Sequence, residues 1–377
     1  MDNPPCGMDA VRGNFFVAFG ACAAADLHIK VIMTTFDFRN EHKCTDMSSL
    51  NTSFAGLELK NPIVVSSSSL TDSAEGCLRL ERAGAGAVVL KSLFEEDIVR
   101  RTESLTDETA HTESADYLQG YLRGQMLGDY LKLVRESKSL CKIPVIASIC
   151  CRSAGEWTDF ARMIEQEGAD ALELNVMSLA SDKAAADGAF EQRHVEILAA
   201  VKRSVSIPVI MKLGANLSNP VSLIERLRGY GAAAVVLFNR PYQTDIDIEK
   251  MEYVSGKVLS DESDLSNSLR WTGIASAAVK NISYAISGGV HSGEAVVKAL
   301  LAGASAVEVC SAIYMAGDAW ISSALETVEK WQERHGFDSV AGYRGRMNAA
   351  DAAHVDRLER MQFLKYFEGF GNAHHHR

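Results

Sequence analysis

The chain lacks the residue spacings that mark several common kinds of site. Its eight cysteines, in 377 residues, form no Cys-x-x-Cys pair. No zinc or iron–sulfur ligand pattern is therefore present, and no metal site is expected. The scatter, with Cys150 next to Cys151, fits reduced thiols in the cytoplasm better than a disulfide framework. Positive charge is not in excess: 38 Lys and Arg against 49 Asp and Glu give a net charge of −11, which removes the electrostatic case for nucleic acid. The apolar stretch at residues 15–33 is broken by Asp26, His28 and Lys30, too often for a membrane span. A secretory signal would need a basic start, and Asp2, Asp9 and a single Arg12 do not supply one. Residues 1–50 thus read as a poorly ordered extension, with Met47 as an alternative start. With seven prolines and no Pro- or Ser-rich linker, residues 51–345 read as one domain, followed by a helical tail over 346–377. The closing run His374–His376 has no nearby ligand partners and belongs to that tail.

What the sequence does have is a repeating pattern. Short runs rich in Val, Ile, Leu and Ala end in small or polar residues: "PIVVSS" (62–67), "GAVVLKS" (86–92), "PVIASI" (144–149), "ALELN" (171–175), "PVIMKL" (208–213), "AVVLFN" (234–239), "SYAISGG" (283–289) and "AVEVCS" (306–311). Amphipathic stretches lie between them, among them 73–85, 156–169, 219–232 and 292–304, each closing near a glycine suited to end a helix. Ser292 is placed to cap the last of these. Continuous apolar strands alternating with helices predict a parallel sheet covered on both faces. Eight such units in roughly 250 residues is the arithmetic of an α/β (β/α)8 barrel, or TIM barrel. A doubly wound sheet is the other arrangement, but it would call for a Gly-x-Gly-x-x-Gly after its first strand, and none is there. Two connections exceed what a plain unit needs, 92–143 after strand two and 240–282 after strand six. Both leave from the catalytic face of a barrel, where long insertions cover a site.

Residues at the C-terminal ends of barrel strands face one chamber, so the eight ends form a single constellation. They offer Ser66, Ser67 and Ser68; Lys91 and Ser92; Cys150; Asn175; Lys212; Asn239; Gly288 and Gly289; Cys310 and Ser311. A lysine in the barrel core must reach a ligand, an anion or solvent, because an unpaired buried charge is very costly. The alternative is an ion pair at the mouth with Glu95 or Asp245. Gly288 and Gly289 end strand seven, where backbone N–H groups can approach an anion closely. The loops after strands seven and eight are the usual phosphate site of such barrels. In "ALELNVMSLASD" (171–182), Asn175 ends a strand and Ser178 follows on the loop. A phosphate grip, two cations, amides and a loop hydroxyl suit a phosphorylated cofactor with an acceptor-rich edge. Reduced flavin, which gathers negative charge at N1 and O2, is such a group.

These residues resemble the dihydroorotate dehydrogenases, nearest the soluble class 1 branch, over roughly residues 50–345. The resemblance rests on "NPIVVSSSS", "GAGAVVLKS", "PVIASI…EW…GADALELNV", "IPVIMKL", "VVLFNR" and "ISGGVHSGEAVVKALLAGASAVEVCSA" in order and spacing. It implies FMN across the barrel mouth, with phosphate on Gly288, Gly289, Cys310 and Ser311. Lys212 would lie by the N1–O2 edge and Lys91 on the substrate side. Ser66, Ser67, Ser68, Ser92, Asn175 and Asn239 would complete the cofactor contacts, with Asn175, Asn239 and Lys91 reaching substrate as well. The implied reaction is oxidation of dihydroorotate, or a related dihydropyrimidine, in pyrimidine biosynthesis. A base takes a proton while hydride passes to flavin N5. The family's Asn-x-x-base pattern falls on "NVMS" and makes Ser178 that base, with Lys91 beside it. The resemblance also implies a cytoplasmic homodimer acting on a small molecule, with no membrane partner.

The match departs from the family at the substrate side. The family commonly has Pro and Asn after the base, and here stand Leu179 and Ala180. Residues 93–111 carry no Asn-rich motif, Arg240 follows Asn239 where a small hydroxyl residue is common, and Ser68 and Cys310 replace glycines. A site that loses hydrogen-bonding partners loses selectivity. Two other readings stay open: a flavin barrel with a different substrate or no activity, and a Schiff-base lyase or aldolase using Lys91 or Lys212.

Overall fold

Alternating apolar and helical segments build a closed barrel. The computed structural model describes residues 49–94, 112–150, 157–176, 179, 181–241 and 243–359. Eight parallel strands form the wall: β1 (Ile63–Val65), β2 (Ala87–Val89), β3 (Val145–Cys150), β4 (Ala171–Val176), β5 (Val209–Gly214), β6 (Ala234–Asn239), β7 (Ser283–Ser287) and β8 (Ala306–Val309). Each pairs with its neighbours in sequence order. β8 pairs back onto β1 through Val307↔Ile63, and β2 onto β3 through Val88↔Val145, so the sheet closes. All eight apolar runs of the sequence become these strands, as a (β/α)8 barrel requires. The four predicted helices also form, as α1 (Ala74–Arg82), α3 (Trp157–Gln166), α5 (Pro220–Gly229) and α7 (Gly293–Ala302), with α2 (Thr112–Leu140), α4 (Ala189–Lys202) and α6 (Leu265–Ala278) between them. Ser292 caps α7 through its hydroxyl, which accepts from Ala295 N–H at 3.2 Å. α8 (Ser311–Ala316), α9 (Ala319–Arg334) and α10 (Ala352–Glu359) follow β8.

Strand parity sorts the side chains. Val88, Ile149, Leu172, Met211 and Val307 face outward into the shell of helices. Val64, Ala87, Val89, Ile146, Ala171, Ile210, Ala234, Val236, Ala285 and Ala306 face inward and fill the lower barrel. An antiparallel hairpin, Thr52–Phe54 with Leu57–Leu59, closes the floor. Phe54, Ala55 and Leu59 are buried in the same interior cluster, and Thr52 Oγ1 donates to Ser305 C=O, just before β8, at 2.9 Å.

Both long connections leave from the C-terminal ends of the strands. The first contains Leu93–Phe94, which pairs with the end of β3, and the 29-residue helix α2. Between β2 and Leu93–Phe94 the ladder along β3 is interrupted at Ser148. There Tyr130 of α2 inserts its hydroxyl, accepting from Ser148 N–H at 2.7 Å and donating to Ser148 C=O at 2.8 Å. The second connection contains the hairpin Thr244–Asp247 with Glu252–Ser255 and then α6. Arg240, directly after β6, ties this segment down through an ion pair with Asp264 at 3.1 Å and bonds to the carbonyls of Lys257 and Val258. Among the described residues no helix is long and apolar enough to cross a membrane, and Cys77, Cys141 and Cys310 are free thiols.

Candidate active site

Above the apolar floor, the inward positions turn polar. Parity carries Ala171 to Glu173 to Asn175 on β4, Ile210 to Lys212 on β5, Ala306 to Glu308 on β8 and Ile146 to Ser148 on β3. Lys212, Glu173 and Glu308 are 4%, 0% and 2% exposed. Lys212 Nζ lies 2.5 Å from Glu308 Oε2 and 3.7 Å from Glu173 Oε1, and donates to Ser66 Oγ at 2.9 Å. Ser66 Oγ in turn donates to Glu308 Oε2 at 3.1 Å.

The electrostatics of this trio are fixed by burial and mutual charge. Burial works against the Lys212 charge, but the Glu173 and Glu308 carboxylates outweigh it and hold the ammonium above its ordinary value. Burial, then the neighbouring Glu308 charge, push Glu173 well above the usual carboxyl range. The Glu308 charge is also disfavoured by burial, yet the Lys212 charge and the hydrogen bonds from Glu173, Lys212 and Ser66 bring the carboxyl below that range. The trio is therefore a protonated lysine, an ionised Glu308 and a protonated Glu173, which together carry no net charge.

A chain of hydroxyls links the trio to the mouth. Ser148 Oγ donates to Glu173 Oε1 at 3.3 Å and contacts Ser92 Oγ at 2.7 Å. Ser92 Oγ contacts Ser67 Oγ at 2.9 Å, and Ser92 N–H donates to Ser67 Oγ at 2.7 Å. Ser68 instead shapes the backbone, accepting from Leu70 N–H and donating to Ser66 C=O. On the other side of the mouth, Asn239 Nδ2 donates to Asn175 Oδ1 at 2.8 Å. Lys91 lies two residues beyond inward-facing Val89 and is exposed.

The ends of β7 and β8 form the remaining rim. Gly288 and Gly289 both take left-handed backbone, φ +82° and +73°. A Cβ on Gly289 would come within 2.1 Å of Leu265 N at the start of α6, so only glycine permits that approach. At Gly288 the corresponding side is open, with nothing within 4 Å. This leaves a cradle of bare backbone. Burial raises the Cys310 thiol above its ordinary value, and Ser311 Oγ accepts from Ser260 N–H at 3.0 Å.

The structure thus brings Ser66, Ser67, Ser92, Asn175, Lys212 and Asn239 together, with Lys91 at the mouth and Gly288, Gly289, Cys310 and Ser311 on the β7–β8 rim. Ser178 and Ala180 lie outside the described residues, as do Glu95, residues 1–48 and residues 360–377. The alternative of an ion pair at the mouth with Glu95 or Asp245 does not describe Lys212, which is paired inside the barrel with Glu308 and Glu173. Those two glutamates were missed as site residues. Period-two parity carries the signal: each stands two residues before a residue already assigned to the chamber, Asn175 and Cys310. The barrel mouth fits a flavin, since the open Gly288 cradle and the donors Lys212 and Asn175 can serve a phosphate and an acceptor-rich ring edge.

Comparison with known proteins gives this geometry a family. The family model of dihydroorotate dehydrogenase matches residues 124–331. The catalytic subunit of dihydroorotate dehydrogenase B (NAD(+)) from Methanosarcina acetivorans is 31% identical over 303 residues, 76% of this chain and 92% of that protein. Its counterpart from Thermoplasma acidophilum is 26% identical, covering 78% of this chain and 97% of its own length. A putative dihydroorotate dehydrogenase A (fumarate) from Aeropyrum pernix is 27% identical, at 79% and 98% coverage. A relative 31% identical over 76% of this chain, with the family model matched over more than half of it, places the chain in the dihydroorotate dehydrogenase family, flavin-using oxidoreductases that act on a CH–CH bond.

Proposed function

We propose that this protein binds FMN and oxidises dihydroorotate to orotate in pyrimidine biosynthesis. The observation that carries the reading is the convergence of Lys212, Asn175 and Asn239 at one barrel mouth, with the open Gly288 cradle at the end of the strand next to Asn239. Bound FMN would supply the hydride acceptor at N5. Gly288 and Gly289, with Cys310 and Ser311, would hold its phosphate. Lys212 would stand by the N1–O2 edge, and Ser66, Ser67, Ser68 and Ser92 would line the cofactor side. Asn175 and Asn239 would share flavin and substrate, with Lys91 orienting the substrate. Ser178 would accept the substrate's proton. A hydroxyl is a weak base, so it needs a neighbouring acceptor or water to pass the proton on. The Schiff-base reading loses ground on Lys212, because that chemistry needs a free amine and the buried ion pair with Glu308 holds this one as an ammonium.

The same family points to a cytoplasmic homodimer. The hairpin Thr244–Ser255 supports a contact between copies, since Ile246, Met251 and Tyr253 are exposed on it. The relative from Methanosarcina is named a catalytic subunit, which favours a second kind of subunit and NAD(+) as terminal acceptor.

Anaerobic titration with dihydroorotate, followed by visible absorption, tests the reading. The expected result is a flavin spectrum that bleaches on addition of substrate, and bleaching slowed by two or more orders of magnitude in Ser178→Ala with flavin content unchanged. A chain that cannot be loaded with FMN overturns the cofactor. Bound FMN that no dihydropyrimidine reduces overturns the activity and leaves a flavin-binding barrel.

A further inference from the structure

Holding one buried ammonium takes one carboxylate, and this barrel supplies two. Glu308 does the pairing, at 2.5 Å with a shared Ser66, whereas Glu173 stands off at 3.7 Å. Glu308 Oε1 and Glu173 Oε2 have no partner among the other side chains, and the protonated Glu173 shares a hydrogen bond with Glu308. Two ionised carboxylates facing one ammonium would leave a net negative charge in a dry interior, which is very unfavourable. One negative charge therefore resides in this layer, on Glu308, one inward-facing position below the Cys310 rim.

We propose that Glu308 sets the reduction potential of the bound flavin, by drawing the Lys212 charge down into the barrel and making the flavin a weaker oxidant than an unpaired lysine would. The inference rests on the FMN reading above. When hydride reaches N5, two electrons and one proton arrive together, and the reduced ring keeps a negative charge over N1 and O2. An ammonium beside that edge stabilises the reduced form, because the interaction is strong in a water-poor site. A carboxylate hydrogen-bonded to the same ammonium opposes that stabilisation through the same low dielectric. Glu308 touches no reacting atom, so it acts through Lys212. Glu173, being neutral, contributes little to this balance.

That difference between the two glutamates gives the test. Midpoint potentials of the FMN-loaded protein are measured by dye-linked anaerobic reduction for wild type, Glu308→Gln and Glu173→Gln. Glutamine at 308 keeps the acceptor for Lys212 and Ser66, and the charge that passes to Glu173 sits at 3.7 Å from the ammonium instead of 2.5 Å, so this variant is expected to fold while holding the lysine less tightly. Glu308→Gln should favour reduced flavin at least tenfold, which is about 30 mV upward for a two-electron couple. Glu173→Gln should stay within a third of that shift. Glu308→Asp, which restores the charge, should bring the potential back toward wild type. A flavin-loaded Glu308→Gln protein with an unshifted potential, or equal shifts in both glutamine variants, overturns the inference and leaves the FMN reading standing. A chain that takes up no FMN defeats both.

Discussion

The barrel interior has two storeys that are equally dry and chemically opposite. The lower one is Ala171, Ile210, Ala234, Ala285 and Ala306, closed from below by Phe54 and Leu59. The upper one is Lys212, Glu173, Glu308, Ser66 and Ser148. In the lower storey burial itself is the stabilising term, at about 25 cal/mol per Å² of apolar surface removed from water. In the upper storey burial is a cost, offset only by mutual charge and hydrogen bonds, and a well-packed apolar layer would serve stability as well or better. A charged layer directly under the open end of a barrel is thus there for what it does to a bound group. It keeps an ammonium charged and fixed in position before any ligand arrives.

The sharpest way to break this contrast is to remove the lysine. Lys212→Met leaves Glu308 ionised without a counter-charge or forces it to take up a proton. Urea denaturation near pH 7 should show a loss of about 3–5 kcal/mol, and FMN affinity should fall in the same variant. Phe54→Ala opens a cavity in the floor and should cost about 3–4 kcal/mol. Assayed under conditions where it stays folded, that variant should keep its flavin and its rate. A floor variant that loses flavin while folded would show that the two storeys are not separable.

The smallest effect is expected from Glu173→Gln, and it should depend on pH. Burial and the neighbouring Glu308 charge hold the Glu173 carboxyl well above the usual carboxyl range in the folded protein. Its stabilising contribution is therefore complete below the unfolded value and is lost as pH rises toward the folded one. Glutamine imitates the protonated form at every pH. The variant should be close to wild type at pH 5 and gain on it, on the order of 1–2 kcal/mol, by pH 8. Denaturation midpoints at the two pH values would check this, and a difference that stays flat would place the proton elsewhere.

Much of the lower storey was legible in the sequence, and the charged storey was not. Runs such as "AVVLFN" and "PVIMKL" became strands with nearly the bounds read from them, because a strand buried on both faces must be continuously apolar. The strand-end asparagines and the Gly288–Gly289 pair were likewise readable, since position in the repeat fixes which way they face. Glu173 and Glu308 stand inside the apolar runs 171–175 and 306–311, and neither is among the strand-end residues assigned to the chamber. A carboxylate in a strand ordinarily means a solvated face, and its partner here comes from a strand 96 residues away in the case of Lys212 and Glu308. Parity placed each glutamate inside the barrel, but only the closed sheet brings them to one lysine.

Tyr130 has a consequence for how this barrel could change. Its hydroxyl occupies, at Ser148, the position that a neighbouring strand's peptide group would fill. The insertion after β2 is therefore a stave of the wall. Shortening it to a plain loop would strip both hydrogen bonds from a peptide unit in the middle of β3. Drift in this segment is thereby limited by sheet integrity, independently of any ligand: its length is free to vary only so long as an aromatic hydroxyl still arrives at that one gap.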